Sequence, residues 1–154
     1  RWNLATAKPV LGTNPTEKLL TNGIRGSLKY SDFEWCSWAD NDSVSFTIDL
    51  LKLEMLNTLI LGCITNNGMA IHKPASVRVE VSDDNSKFRE AVVQSFTSEE
   101  IFREGNFIEN LSLKLGGTQA RYVRVTAKGP GVCPASHVRP GQTSRIFFDE
   151  VMLE

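Results

Sequence analysis

The chain has 154 residues and a formal net charge of −1, enough for one domain with a real core and too balanced to draw in nucleic acid or an acidic membrane through its overall field. Its longest apolar run, around Leu59–Ile64, falls far short of the ~20 residues a membrane-spanning helix needs, and no charged-then-apolar leader is present. Residue 1 is Arg, which leads us to expect a domain excised from a longer polypeptide.

In chain order, the first feature is the segment Leu20-Thr21-Asn22-Gly23-Ile24-Arg25-Gly26-Ser27, whose glycines allow tight curvature. It opens a long loop, Asn22–Asp42, that carries Tyr30, Trp35 and Trp38. Val44, Phe46, Ile48 and Leu50 then alternate with Ser45, Thr47 and Asp49, the period of a half-buried strand. Met55 through Thr65 is rich enough in Leu and Ile to predict a central strand buried on both faces. A second loop, Thr65–Pro74, holds Asn66, Asn67 and His72. Val77, Val79 and Val81 alternate again and run into Ser82-Asp83-Asp84-Asn85, whose side chains can bond their own backbone and whose Asn tolerates positive φ. Phe88 and Ala91–Phe96 complete a hairpin. Thr97–Arg103 is the one segment with helical character, starting at Ser98-Glu99-Glu100. Leu111, Leu113 and Leu115 alternate up to a Gly116-Gly117 turn, and Tyr122, Val123 and Val125 mark a strand over Arg121–Ala127. The third long loop, Lys128–Ser144, carries His137 and Arg139, and Ile146–Leu153 forms the closing strand. Seven or eight short strands separated by Gly, Asn, Asp and Pro clusters indicate a β-sandwich or jelly roll.

Enzyme signatures are absent: there is no G-x-S-x-G, no H-E-x-x-H and no phosphate-binding Gly-Lys loop. Adjacent acids such as Asp83-Asp84 and Asp149-Glu150 could be imagined as a glycosidase pair, but the turn explains the first and the last strand holds the second. Catalysis is therefore not expected of this chain. Cys36, Cys63 and Cys133 lack the close C-x-x-C pairs of a zinc ribbon. Cys63 reads as a small buried hydrophobe, and a Cys36–Cys133 bridge stays open. Between Leu111 and Phe148 lie Lys114, Arg121, Arg124, Lys128, Arg139 and Arg145 with no acidic residue. Arg121 and Arg124 are expected to face solvent from strands. This run admits an anionic ligand, whether a sulfated or uronic glycan, a lipid head group or a protein partner.

Loops in a sandwich collect at its ends, and neutral sugar recognition needs convergent polar groups plus an apolar platform. The expected glycan contacts are therefore loop residues: Asn66, Asn67, His72 and His137 as hydrogen-bonding groups, Arg139 as a cationic contact and Trp38 as the platform.

Several motifs occur together in one order. They are Asn3-Leu4-Ala5 with Lys8-Pro9-Val10, Leu20-Thr21-Asn22-Gly23, Trp35, Phe46-Thr47-Ile48-Asp49-Leu50, Val77-Arg78-Val79-Glu80-Val81-Ser82 through Phe88, Arg121-Tyr122-Val123-Arg124-Val125, and Phe148-Asp149-Glu150-Val151. Their succession resembles the discoidin or coagulation-factor type C superfamily, which includes the family-32 carbohydrate-binding modules. Asn22 stands for the family's Asp, and Leu51 and Asn85 stand where the family has Gly. Ala127 to Pro134 followed by His137 is similar to the C-terminal tail of bacterial family-20 β-N-acetylhexosaminidases of the chitobiase type, with Ala135-Ser136 in place of a Trp before the His.

The resemblance implies a single eight-stranded antiparallel jelly roll over residues 1–154, with Trp35 in the core. It implies a non-catalytic carbohydrate-binding module, monomeric and appended to a β-N-acetylhexosaminidase acting on N-acetylglucosamine-containing glycans. The partners would be a glycan and the catalytic domain of the same polypeptide, in the periplasm, at the cell surface or outside the cell. The alternative is a structural spacer or protein-interaction domain. Family-32 modules also suggest a structural calcium, held here by Asn22, Ser27 and Glu150 with carbonyls of Leu20 and Arg25. Hard cations want such oxygen sets. Asn22 carries one negative charge fewer than Asp, and a loop held by hydrogen bonds alone is the other reading.

Overall fold

Alternating sequence patterns become strands in the computed structural model, which describes residues 10–11, 16–38 and 43–154. The opening Asn3–Pro9 motif and residues 39–42 of the first loop lie outside the described residues. The strands are β1 (Val10–Leu11), β2 (Cys36–Ser37), β3 (Ser43–Asn66), β4 (Ser76–Ser82), β5 (Arg89–Ser95), β6 (Asn106–Lys128) and β7 (Phe147–Leu153). All pair antiparallel in the order β2-β7-β3-β6-β4-β5, with β1 beside β3.

The long strands β3 and β6 form the spine. Ser43–Asp49 faces Lys128–Tyr122; after a break, Leu59–Asn66 faces Leu113–Asn106. At the break Leu51 sits at φ 72, and Gly116 and Gly117 at φ 68 and 75. The paired ribbon folds over there, so each strand enters both layers. One layer holds β1, the first half of β3, the second half of β6, β4 and β5; the other holds β2, β7 and the remaining halves. Phe46, Ile48, Val79, Val123 and Val125 from the first layer meet Leu59, Leu61, Leu113, Phe148 and Val151 from the second in one buried cluster. This is the expected jelly-roll sandwich. It has seven strands among the described residues instead of eight, because alternating stretches that look separate in sequence are continuous in their hydrogen bonding.

Both residues that replace the family's Gly keep positive φ: Leu51 at 72 and Asn85 at 62. A left-handed conformation costs a non-glycine residue about 1–2 kcal/mol, with Asn the mildest case. Asn85 sits in a turn closed by Asp84, whose Oδ1 accepts the N–H groups of Ser86 and Lys87 at 2.9 Å. Those donors hold the Asp84 carboxyl below its usual range. The Leu51 N–H donates to Asp49 Oδ1 at 2.8 Å, and Arg121 grips the same carboxylate at 2.8 and 2.9 Å.

The expected helix over 97–103 shrinks to one turn, α1 (Ser98–Ile101). Thr97 and Glu100 form a reciprocal capping box, which fixes the start of so short a helix by satisfying two of its free N–H groups. Connections from both layers gather at this end. Ala75 N–H donates to Lys128 O and Phe96 N–H to Ala75 O, both at 2.9 Å, and Asn67 N–H reaches Gly105 O at 3.0 Å. The first long loop folds over the outer face of the second layer. There Trp35, Ile64, Ile71 and Phe147 make a second buried cluster with Tyr30 packed against it. Trp35 is thus in the core as expected. Its indole N–H donates to Ser27 O at 2.9 Å, and its ring lies on Gly26, where any Cβ would collide with the indole. Cys36, Cys63 and Cys133 are buried and free, so the Cys36–Cys133 bridge is not formed. No helix among the described residues is long and apolar enough to cross a membrane.

Candidate functional site

A cavity of about 460 Å³ opens at the loop end. Its walls are the 3-10 turn Asn67–Met69, the α1 corner and residues 134–137. The capping box sets the position of Ser98 and Glu99. Phe102 ends the helix at φ −97, ψ 35, and its ring stands edge-on to His72 at 5.0 Å and to His137 at 6.2 Å. Around this apolar floor converge the Asn67 amide, the hydroxyls of Ser98 and Ser136, the His137 ring, and the charges of Glu99, Arg103 and Glu104. Asn67 Oδ1 is buried without a hydrogen-bond partner. An unpaired buried acceptor of this kind costs about 1–3 kcal/mol unless something binds it.

The structure brings part of the expected glycan set together. Asn67 and His137 line the cavity, but His137 is not the free hydrogen-bonding group expected: its Nδ1 accepts the Arg139 N–H at 2.9 Å and its Nε2 lies 3.0 Å from His72 Nε2. Asn66 instead caps the 3-10 turn, its Oδ1 accepting the Met69 N–H at 3.2 Å. Arg139 lies across the top of the two loops, donating to Gly68 O and, at 3.4 Å, to Gln142 Oε1. Two further residues need correction. His72 is 0 % exposed and sits beneath His137, so it has no surface to offer a sugar. Burial, with the neighbouring His137 adding to it, pushes its imidazole down to about 4. Trp38 is not a free platform either. Its indole stacks on Phe46 at 6.3 Å, meets Phe148 edge-on at 5.6 Å and donates to Glu17 Oε1 at 3.1 Å. Loop position in sequence suggested exposure for both; packing between distant segments removed it.

Sequence reasoning missed an exposed aromatic. Phe33 is 92 % exposed, held out by a turn in which Asp32 accepts the N–H groups of Glu34 at 2.9 Å and Ser27 at 3.3 Å. The flanking acids in Asp32-Phe33-Glu34 were the available signal. The α1 corner was read as a helix but not as a cavity wall. Two of the six basic residues in the 111–148 run are neutralised by ion pairs. Arg121 and Arg124, expected to face solvent freely, are half-buried partners of Asp49 and Glu80. Lys128 and Arg78 border a shallower hollow on the outer face of the first layer, and Arg78 is already within 3.4 Å of Glu90.

A second polar cluster joins the curved loop to β7. Glu150 is 2 % exposed and neither carboxylate oxygen has a hydrogen-bond partner. Burial raises its pKa to about 7 and the charge of Asp149 adds to the shift; the Gly23 main chain, close by but outside hydrogen-bonding geometry, and Arg25 pull the other way. Asp149 accepts from Arg25 Nε at 2.7 Å and Gly26 N–H at 2.9 Å, while Arg25 also reaches Asn110 Oδ1 at 2.8 Å. Room for this pair depends on Gly62, where a Cβ would meet both side chains. Asn22 holds the loop itself: Oδ1 accepts Ile24 N–H at 2.9 Å and Nδ2 donates to Glu34 at 2.8 Å. Ser27 Oγ accepts Lys29 N–H at 3.2 Å, and the Leu20 side chain is in the core. Of the expected calcium set, the unpartnered Glu150 carboxylate fits a hard cation best.

An antiparallel jelly roll with a polar cavity among its end loops is the architecture of a ligand-binding domain. The chain belongs to the F5/8 type C domain family, whose model matches residues 5–139. Among solved structures it is similar to CpGH89CBM32-6 of Clostridium perfringens, with 18% identity, 99% of this chain and 98% of that one covered, and a TM-score of 0.63. It is also similar to the C-terminal domain of a chitobiase from Bacteroides fragilis, at 17% identity, 89% and 78% coverage and a TM-score of 0.53. A Streptococcus pneumoniae fucose binding module matches at 19% identity, 99% and 96% coverage and a TM-score of 0.57. At these identities the likeness is one of fold. No curated protein sequence matches the chain.

Proposed function

We propose that this chain is a non-catalytic carbohydrate-binding module and that its glycan site is the cavity between Asn67, the α1 corner and His137. The observation that carries this reading is the cavity's make-up: Asn67, the Ser98 and Ser136 hydroxyls and the charged side chains of Glu99, Arg103 and Glu104 converge beside the Phe102 ring. Such a site gives a sugar both hydrogen bonds and an apolar contact. Two carboxylates against one guanidinium make it a poor receptor for a sulfated or uronic glycan, so a neutral sugar is the better occupant.

N-acetylglucosamine-containing glycans and a β-N-acetylhexosaminidase parent are the finer form of the proposal. The chitobiase-like tail from Ala127 to His137 and the likeness to a chitobiase C-terminal domain support it. The module would then work tethered to its catalytic domain outside the cytoplasm. Single modules bind weakly, at about millimolar to tens of micromolar or roughly 4–7 kcal/mol, and tethering makes that useful. We further propose that calcium stabilises the loop through Glu150 and nearby main-chain carbonyls.

The test is a titration with N-acetylglucosamine and galactose oligosaccharides followed by amide shifts. Shifts at Asn67, residues 98–104 and residues 134–137 are expected. Shifts at the fold-over end alone, or none with any glycan, would move the reading to a spacer or protein-interaction domain.

A further inference from the structure

Below the cavity floor lies a cluster of which the glycan reading uses only His137. His72, Cys133 and His137 are 0 %, 2 % and 8 % exposed, and each offers a ligand atom within 4.8 Å of the others. Two loops distant in sequence supply them, and both are pinned by main-chain bonds. His72 N–H donates to Arg145 O at 3.0 Å and Cys133 N–H to Gln142 O at 2.8 Å. Ile71 bridges Arg145, and Val132 bridges Thr143. The ligands are therefore placed by the framework and not by side-chain wandering, which is what a metal site requires.

The nitrogen chemistry is unusual for a packed core. The two Nε2 atoms are 3.0 Å apart, a distance that requires a shared proton. His137 Nδ1 accepts the Arg139 N–H at 2.9 Å, so the neutral ring carries its proton on Nε2 and gives it to His72. His72 then carries its own proton on Nδ1, which is buried beside the Ile101 main chain but outside hydrogen-bonding geometry. Core residues need only shape; three adjacent groups that can each ligate a metal need another explanation.

We propose that His72, Cys133 and His137 form a binding site for a borderline transition-metal ion, with zinc as the type and water from the adjoining cavity in the fourth position. Two imidazoles and a thiolate suit zinc and disfavour calcium or magnesium, which take oxygen ligands. The ion replaces the shared proton, and the Nε2 atoms separate to roughly 3.4 Å, as tetrahedral geometry at a Zn–N distance of about 2.1 Å demands. The Cys133 thiol gives its proton to solvent. The His137 proton moves from Nε2 to Nδ1, and the Arg139 N–H turns away. One proton is released per ion. Bound this way, the ion clamps the Asn66–Ser76 connection to the Lys128–Phe147 connection beneath the cavity. A ribbon-type cysteine search misses the site because Cys133-x-x-x-His137 is completed by a histidine from another loop.

Cobalt(II) titrated into the chelator-stripped, thiol-reduced chain tests this. One equivalent is expected to produce intense tetrahedral d–d bands and a near-ultraviolet thiolate charge-transfer band, both displaced by zinc(II). Cys133→Ser should lose the charge-transfer band. Pale octahedral cobalt alone, or a thiolate band that survives in Cys133→Ser, overturns the proposal. Where that variant does not fold, the wild-type chain decides. Zinc must shift the ring nitrogens of His72 and His137 and the Arg139 amide; unchanged resonances overturn it. No glycan enters the experiment, so its failure and that of the glycan reading are independent.

Discussion

Two buried polar clusters among the described residues are built from opposite chemistry. Beside β7, Asp149, Glu150 and Arg25 form an oxygen-rich group under the first loop. At the loop end, His72, His137 and Cys133 form a nitrogen–sulfur group. Burial acts on both in the same way, favouring the uncharged form. It therefore raises the Glu150 carboxyl to about 7 and lowers the His72 imidazole to about 4. The lesson is that a domain can carry two strained titrating groups whose effects on stability run in opposite directions.

The largest effect should come from removing the anchor of the oxygen cluster. Asp149→Ala strips Arg25 and the Gly26 N–H of their acceptor and should cost on the order of 3 kcal/mol in urea unfolding, discounted from the fully buried case because Arg25 is partly exposed. A loss below about 1 kcal/mol would mean that this cluster is not organised around the pair.

Next come the opposed pH slopes of the metal-free chain. Between 4.5 and about 7, folded Glu150 holds more proton than unfolded Glu150, so stability falls as pH rises through that window. Between about 4 and 6.5 the unfolded chain protonates His72 more readily than the folded one, so stability falls as pH drops. Over the shared range the two nearly cancel. Glu150→Gln should stabilise the chain by roughly 2–3 kcal/mol at pH 8 and leave it unchanged below pH 4.5. It should also unmask the His72 slope. His72→Gln should unmask the other. Parallel pH profiles for wild type and both variants would break the comparison.

Calcium sharpens it further. A cation that binds the folded state raises apparent stability by mass action. The melting temperature should rise with calcium in the wild type and not in Glu150→Ala. Identical melting curves with calcium and with chelator would leave the loop metal-free. The smallest effect is expected from Asn22→Asp. Without calcium it sets two carboxylates against each other where Asn22 now donates to Glu34, a loss of at most about 1 kcal/mol. With calcium it should tighten binding, read by calorimetry.

Much of the fold was legible because strand alternation is local. The valines at 77, 79 and 81 and the leucines at 111, 113 and 115 all point into the core. Positive φ at Leu51 and Asn85 also follows from the family's glycines at those places. The site was less legible because its burial is decided between loops. Nothing near His72 in sequence says that it will lie under His137, since the bond that places it comes from Arg145. Trp38 fails as a platform for the same reason: Glu17 and Phe148 claim it. Cys133 and His137 are close in sequence, but their third partner is not.

The folded-over ribbon also dictates the order in which the chain can acquire its structure. Ser43 pairs with Lys128 and Asn66 with Asn106, so the spine cannot close until β6 has left the ribosome. β7 then takes an interior place between β2 and β3. Such non-local pairing belongs to domains that fold in milliseconds to seconds. Until β7 arrives, the β3 edge from Leu59 to Cys63 is uncovered, an apolar strand of the kind that recruits other chains. Translation therefore exposes this segment for the whole time needed to make the residues that protect it, and a stop before Phe147 would leave it exposed permanently.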